Sequence, residues 1–211
     1  MPHLHLESLT PKGKELFPKL ASLGKEFYLA GGTALALQLG HRQSVDFDFF
    51  TDTPIASGAI KAIEKIFVGS AITPIIATAD ELTVSIDDVK LSLVHYPFPV
   101  LLPFVATSGI NLLSAREIAV TKSYTIGRRG ALKDYIDLYF CLHEKVTTLA
   151  EIIAAAQKKY THAFVDRLFL EQIVYMGDIA EDPIIFLRTP VARAEMIAYF
   201  SAAIAEMKII Q

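Results

Sequence analysis

The sequence predicts an α/β (α+β) protein: a mixed-sheet N-terminal half followed by a helical C-terminal half. Three observations carry this. Short apolar or alternating runs interleave with Ala/Leu-rich stretches over the first hundred residues. A proline-rich connection holds Pro97, Pro99 and Pro103. Beyond it, capped stretches with helical periodicity run nearly to the C-terminus. The expected division is 1–105 for the α/β core and 106–211 for a helical subdomain packed on it.

In order, Thr10-Pro11 pairs a capping residue with a proline at the first helical position, predicting a helix to about residue 23. Residues 27–30 are aromatic and apolar and read as a buried strand ending at Gly31-Gly32. Residues 33–39 read as a helix stopped by Gly40. Residues 44–50 alternate, so Asp46 and Asp48 share one face of a strand, two residues apart. Thr53-Pro54 predicts a helix to about residue 68. Strands follow over 71–79, 82–86 and 89–96, the last two joined through Asp87-Asp88; Pro74 marks the first as an edge or bent strand. Ser114 and Glu117 have capping-box spacing for a helix to about residue 126, broken by Gly127-Arg128-Arg129-Gly130. Residues 132–144 resume as helix, Thr148 and Glu151 repeat the box, and helices are expected near 164–176 and 190–208.

Composition narrows the class. The 211 residues are 52% hydrophobic and 20% charged, which excludes a disordered chain. A net charge of −3 offers no global attraction to nucleic acid, so such a partner needs a local basic patch. The one cysteine, Cys141, excludes an intrachain disulfide, suits a reducing compartment and reads as a buried filler. No basic region followed by an apolar core opens the chain, so no signal peptide is expected. Residues 91–115 lack Lys, Arg, Asp and Glu, but prolines, Gly109 and Asn111 exclude a lone spanning helix. A soluble, cytoplasmic protein with no membrane partner is expected.

The chemistry lies in two neighbouring features. Paired carboxylates on one strand face repel unless something positive joins them; a hard divalent cation, Mg²⁺ or Mn²⁺, does so. Gly31-Gly32 lets the backbone approach a phosphate while helix N-terminal amides point at the anion, and Thr33 offers a hydroxyl. Each feature has a plain structural reading, as a tight turn or a solvated acidic pair. Together, with Asp46 and Asp48 set among Val45, Phe47, Phe49 and Phe50, they point to a metal-dependent nucleotide site.

The segment from Gly31-Gly32-Thr33 to Val45-Asp46-Phe47-Asp48-Phe49-Phe50 resembles the first motif of the AbiEii/AbiGii-type nucleotidyltransferase toxins, in the polymerase-β-like superfamily. The resemblance continues through Tyr96-Pro97-Phe98-Pro99 and Ile118-Ala119-Val120-Thr121-Lys122 to Arg129-Gly130-Ala131-Leu132-Lys133-Asp134, covering about residues 27–142. It implies a polymerase-β-like core in which Gly31, Gly32 and Thr33 hold the triphosphate of an NTP and Asp46 and Asp48 coordinate Mg²⁺. Lys122 would neutralise phosphate charge, and Asp134 would act as base, metal partner or positioner. The implied reaction moves a nucleoside monophosphate from NTP to an acceptor hydroxyl, such as a tRNA 3′ end. The resemblance also implies a toxin with a cognate antitoxin. It departs from the wider superfamily in one respect: the strand over 89–96 carries no third carboxylate.

Several residues keep two readings. Arg42 contacts phosphate or caps the preceding helix. Arg128, Arg129 and Lys133 form an RNA or triphosphate contact or a solvated turn. Lys122 reaches phosphate or snorkels to solvent. Asp137 pairs structurally, with Lys133 at i,i+4. The competing functions are a small-molecule (antibiotic-type) nucleotidyltransferase and a non-catalytic nucleotide-binding or interaction domain.

Overall fold

The computed structural model describes residues 3–210, with side chains through Met207. The absence of a signal peptide was read partly on Met1 and Pro2, which lie outside the described residues. The chain forms two compact units. The first runs to Pro99 and takes in Pro103–Ser114; the second comprises Val100–Leu102 and everything from Ala115.

The first unit is built on one mixed sheet. Its elements are α1 (Pro11–Leu16), β1 (Tyr28–Ala30), α2 (Gly31–Leu39), β2 (Phe47–Thr51), α3 (Ala59–Ile66), β3 (Ile72–Ala77), β4 (Glu81–Ile86), β5 (Val89–His95), β6 (Val105–Ala106) and β7 (Asn111–Leu112). The sheet order is β3-β4-β5-β2-β1-β7-β6. β2 runs antiparallel to β1 and parallel to β5, and this places the Asp-x-Asp strand at the centre. Its alternation sorts two faces: Phe47 and Phe49 are 2% and 0% exposed, whereas Asp48 and Phe50 are half-buried.

Local chemistry sets the boundaries. The Thr10 hydroxyl accepts from the Gly13 amide and caps α1, but Pro18 falls where the helix would continue. The chain therefore tightens into a 3-10 segment over Phe17–Leu23. Asp87 and Asp88 both take left-handed φ, 48° and 71°, forming the two-residue turn that joins β4 to β5. β3 lies at the sheet edge, with a register shift between Pro74 and Ile76, as a missing amide at Pro74 requires.

Four expectations need correction. β2 begins at Phe47, leaving Asp46 just ahead of the strand. Thr53-Pro54 opens no helix: Thr53 hydrogen-bonds back to Thr51, holding the chain in a bend, and α3 begins only at Ala59. The chain does not pass straight from the proline-rich connection into helix: β6 and β7 intervene, and Leu112 of β7 pairs in parallel with Leu29 of β1. Gly127 does not break the following helix, which continues to Arg129.

The second unit is helical: α4 (Ala115–Arg129), α5 (Leu132–His143), α6 (Leu149–Tyr160), α7 (Asp166–Val174) and α8 (Arg193–Ile210). Thr148 and Glu151 form the expected reciprocal cap on α6. Tyr124 of α4 stacks on Tyr160 of α6 at 4.1 Å, and Tyr139 of α5 packs against Tyr199 and Phe200 of α8. Cys141 is fully buried, and burial pushes its thiol pKa well above the ordinary range. Among the described residues no helix is long and apolar enough to cross a membrane.

Candidate nucleotide site

The first unit assembles the glycine turn and the acidic pair without help from distant sequence. β1 ends at Ala30, opposite Asp48 in the antiparallel register. The chain turns at once into α2 through Gly31, whose φ of +64° is left-handed and suits glycine. A Cβ placed on Gly31 would stand 2.8 Å from Oδ2 of Asp48. The carboxylate thus packs into the space that the missing side chain leaves at the start of α2. Asp46 lies two residues earlier, partly buried, and Lys90 approaches its Oδ2 at 3.6 Å.

Thr33 is 2% exposed. Its hydroxyl donates to the main-chain carbonyl of Asp46 and lies 2.7 Å from the Ser44 hydroxyl. It ties the first turn of α2 to the residues that introduce β2, and so holds helix and carboxylates in one frame. Gly40 closes α2 in the left-handed conformation at φ 63°. Arg42 follows, 4% exposed, with Nη1 donating to the Gln43 carbonyl at 3.0 Å.

No acid stands on β5, and the residue beside Asp48 there is a serine. In the parallel register Asp48 lies opposite Ser92, and Ser92 lies opposite Thr83. The Ser92 and Thr83 hydroxyls are 3.1 Å apart, and Thr83 donates to Glu81 Oε1 at 2.7 Å. Ser92 on β5 and Thr83 and Glu81 on β4 thus form a row of two hydroxyls and an acid across the neighbouring strands. Asp87 is a turn residue whose Oδ1 accepts from the Ala71 amide. Only the register reveals Ser92, since nothing in its local sequence sets it apart.

A Mg²⁺ ion fits this set. Two hard carboxylates beside the glycine turn at a helix N-terminus suit an ion held by one or two carboxylates plus substrate phosphates. Among the described residues no group of three or more His, Cys, Asp or Glu could form a self-sufficient metal cage.

The second unit brings Lys122 and Asp134 together. Lys122 does not snorkel: Nζ lies 2.6 Å from Asp134 Oδ1 and 2.8 Å from Asp137 Oδ2, with all three side chains under a tenth exposed. Asp137 therefore pairs with Lys122 and not through the expected Lys133 contact, because its side chain turns inward while Lys133 is exposed. Asp134 Oδ2 also accepts the Ala131 amide at 2.9 Å, closing the start of α5. A second buried pair escaped sequence reading. Lys159 Nζ lies 2.5 Å from Glu117 Oε1, both side chains fully buried, and Glu117 also accepts the amides of Leu101 and Leu102. Desolvation lowers the Lys159 pKa against the opposing pull of Glu117. In the basic cluster, Arg128 lies over the Tyr124 ring at 4.0 Å and donates to the Ala163 carbonyl, while Arg129 and Lys133 are exposed.

Comparison with known proteins agrees with this architecture. Residues 16–209 match the family described as nucleotidyl transferase AbiEii toxin, type IV toxin–antitoxin system. An uncharacterized protein of Aquifex aeolicus (strain VF5) is 33% identical over 184 residues, 84% of this chain and 87% of that protein. The fold is shared with MenT4, a nucleotidyltransferase toxin of Mycobacterium tuberculosis H37Rv, at TM-score 0.59 and 17% identity, covering 85% of this chain and 74% of that one. It is also shared with a Helicobacter pylori protein assigned provisionally to the nucleotidyltransferases, at TM-score 0.57 and 16% identity, covering 94% and 96%.

Proposed function

This chain belongs to the AbiEii nucleotidyltransferase toxin family of type IV toxin–antitoxin systems, and on that premise we propose that it transfers a nucleoside monophosphate from a Mg²⁺-bound NTP to an acceptor hydroxyl. The observation that carries the reading is the Asp48 carboxylate seated against Gly31 at the start of α2, with Asp46 beside it.

The backbone of Gly31 and Gly32 and the amide end of α2 bind the triphosphate. The buried Thr33 hydroxyl keeps that turn fixed against the Asp46 carbonyl, so it orients the site from behind. Arg42, buried just past the C-terminal end of α2, keeps the phosphate contact only as an expectation of the sequence. Asp46 and Asp48 hold the metal, which when bound neutralises phosphate charge and lowers the pKa of the attacking hydroxyl. The acceptor oxygen forms a bond to the α-phosphorus as the bond to the pyrophosphate oxygen breaks; the hydroxyl proton passes to solvent water and pyrophosphate leaves. Such a transfer needs positioning and charge neutralisation more than covalent help, which a small constellation can supply. The phosphate and positioning roles of Lys122 and Asp134 rest on the resemblance alone, since in the second unit Lys122 is already paired with Asp134 and Asp137. The acceptor proposed is RNA, with a tRNA 3′ end first. The setting proposed is the cytoplasm, with a cognate antitoxin as partner.

The test is incubation with each labelled NTP, Mg²⁺ and total RNA, alongside the double variant Asp46→Ala/Asp48→Ala. Label on tRNA that vanishes in the double variant is the expected result. Label that persists there places the chemistry elsewhere. Metal-dependent NTP binding without label on any RNA, protein or small molecule favours the non-catalytic reading, for which Ser92 in place of an acid is the specific observation.

A further inference from the structure

A run of five aromatic rings continues the line of the acidic pair. Phe50 lies two residues after Asp48 on β2 and so projects from the same face, about 7 Å further along the strand. Its ring stacks on Tyr96 at 4.7 Å, and Tyr96 meets Phe98 at 5.2 Å. On the other side Phe50 meets Tyr28 at 6.2 Å, and Tyr28 meets Phe104 at 5.0 Å. All five belong to the first unit.

These rings are not core. Phe47 and Phe49, on the opposite face of β2, are 2% and 0% exposed, whereas Tyr28, Phe50, Tyr96 and Phe98 are half-buried and Phe104 is 39% exposed. Large apolar rings gathered at a surface mark a binding site more often than chance exposure does. Their placement selects the ligand. The glycine turn takes phosphates, the carboxylates lie at the reacting phosphorus, and the next step along the same strand is a flat π surface at one ribose's remove. A nucleobase is the planar group attached there, and any base can stack on an aromatic ring without hydrogen-bond readout.

We propose that this ledge, centred on Phe50 and Tyr96, stacks the base of the bound nucleoside triphosphate. The inference rests on the nucleotide site proposed above and extends it by locating the base. It makes recognition tolerant of base identity, because stacking on ring faces needs no hydrogen-bond readout.

The experiment is calorimetric titration of the full chain with Mg²⁺ and either ATP or inorganic tripolyphosphate, in wild type, Phe50→Leu, Tyr96→Leu and Tyr96→Phe. Wild type should bind ATP at least tenfold more tightly than tripolyphosphate, within the range that one stacked base supplies. Phe50→Leu and Tyr96→Leu should each lower ATP affinity about tenfold and leave tripolyphosphate unchanged; Tyr96→Phe should behave as wild type. Unchanged tripolyphosphate binding also certifies that the leucine variants are folded. Equal wild-type affinity for the two probes, or equal loss of both in the leucine variants, overturns the base assignment while leaving the phosphate site standing. Variants that spare ATP but weaken a short single-stranded oligoribonucleotide overturn it in favour of an acceptor base. Binding of neither probe by wild type refutes the nucleotide site itself, and this inference with it.

Discussion

Replacing Gly31 by alanine perturbs the site in two separable ways. The residue has φ +64°, and an L side chain in that left-handed region costs about 1–2 kcal/mol. The new Cβ would also stand 2.8 Å from Asp48 Oδ2 and 3.4 Å from Asp48 Cβ. To regain ordinary contact the carboxylate oxygen must retreat by about half an ångström, which is the tolerance within which functional constellations work, about 0.5 Å. Gly69 supplies the control: its φ is +88° and an added Cβ meets nothing within 4 Å. Gly31→Ala and Gly69→Ala should each lose about 1–2 kcal/mol in urea unfolding followed by circular dichroism. Only Gly31→Ala should lose Mg²⁺-dependent NTP affinity, by tenfold or more, in a calorimetric titration. Wild-type affinity in Gly31→Ala, or the same loss in Gly69→Ala, would refute the argument that Asp48 occupies a cradle made by the absent side chain.

Two further outcomes follow from the second unit. Lys159→Ala strips the cation from a fully buried Glu117 and should destabilise by about 3–5 kcal/mol, read as a fall in urea midpoint. Lys159→Met with Glu117→Gln, which removes both charges but keeps an acceptor for Leu101 and Leu102, should recover much of that loss. Glu151 has its pKa lowered from 4.5, first by the Thr148 amide and then by the Thr147 hydroxyl. A depressed carboxylate contributes stability that is fully present above the unfolded value of 4.5 and is lost as pH falls through the folded one. The urea midpoint should therefore drop more between pH 6 and pH 3 in wild type than in Glu151→Gln; equal drops would remove the cap from the account.

Much of this protein could be read locally. Gly31-Gly32, the alternation about Asp46 and Asp48, the Asp87-Asp88 turn and the Thr148–Glu151 cap each depend on residues within a few positions of one another. For such features pattern and backbone preference act together. Misreadings arose where a nearby partner competed with the pattern. Thr53-Pro54 looks like a helix start, but the Thr51 hydroxyl holds Thr53 in a bend. Lys122 reads from sequence as a phosphate contact or a snorkelling cation, but two inward carboxylates meet it.

The sequence alone determined the α/β order, the neighbouring glycine turn and carboxylates, and the resemblance that the comparison bore out. Tertiary structure decided what depends on distant segments: the parallel register that sets Ser92 beside Asp48, the close fit of Asp48 to Gly31, and the Lys159–Glu117 pair, 42 positions apart. The aromatic ledge, drawn from residues 28 to 104, belongs with them. Strand pairing and burial join groups whose separation along the chain leaves no periodic trace, so their chemistry exists only once the sheet and the helices have closed around them.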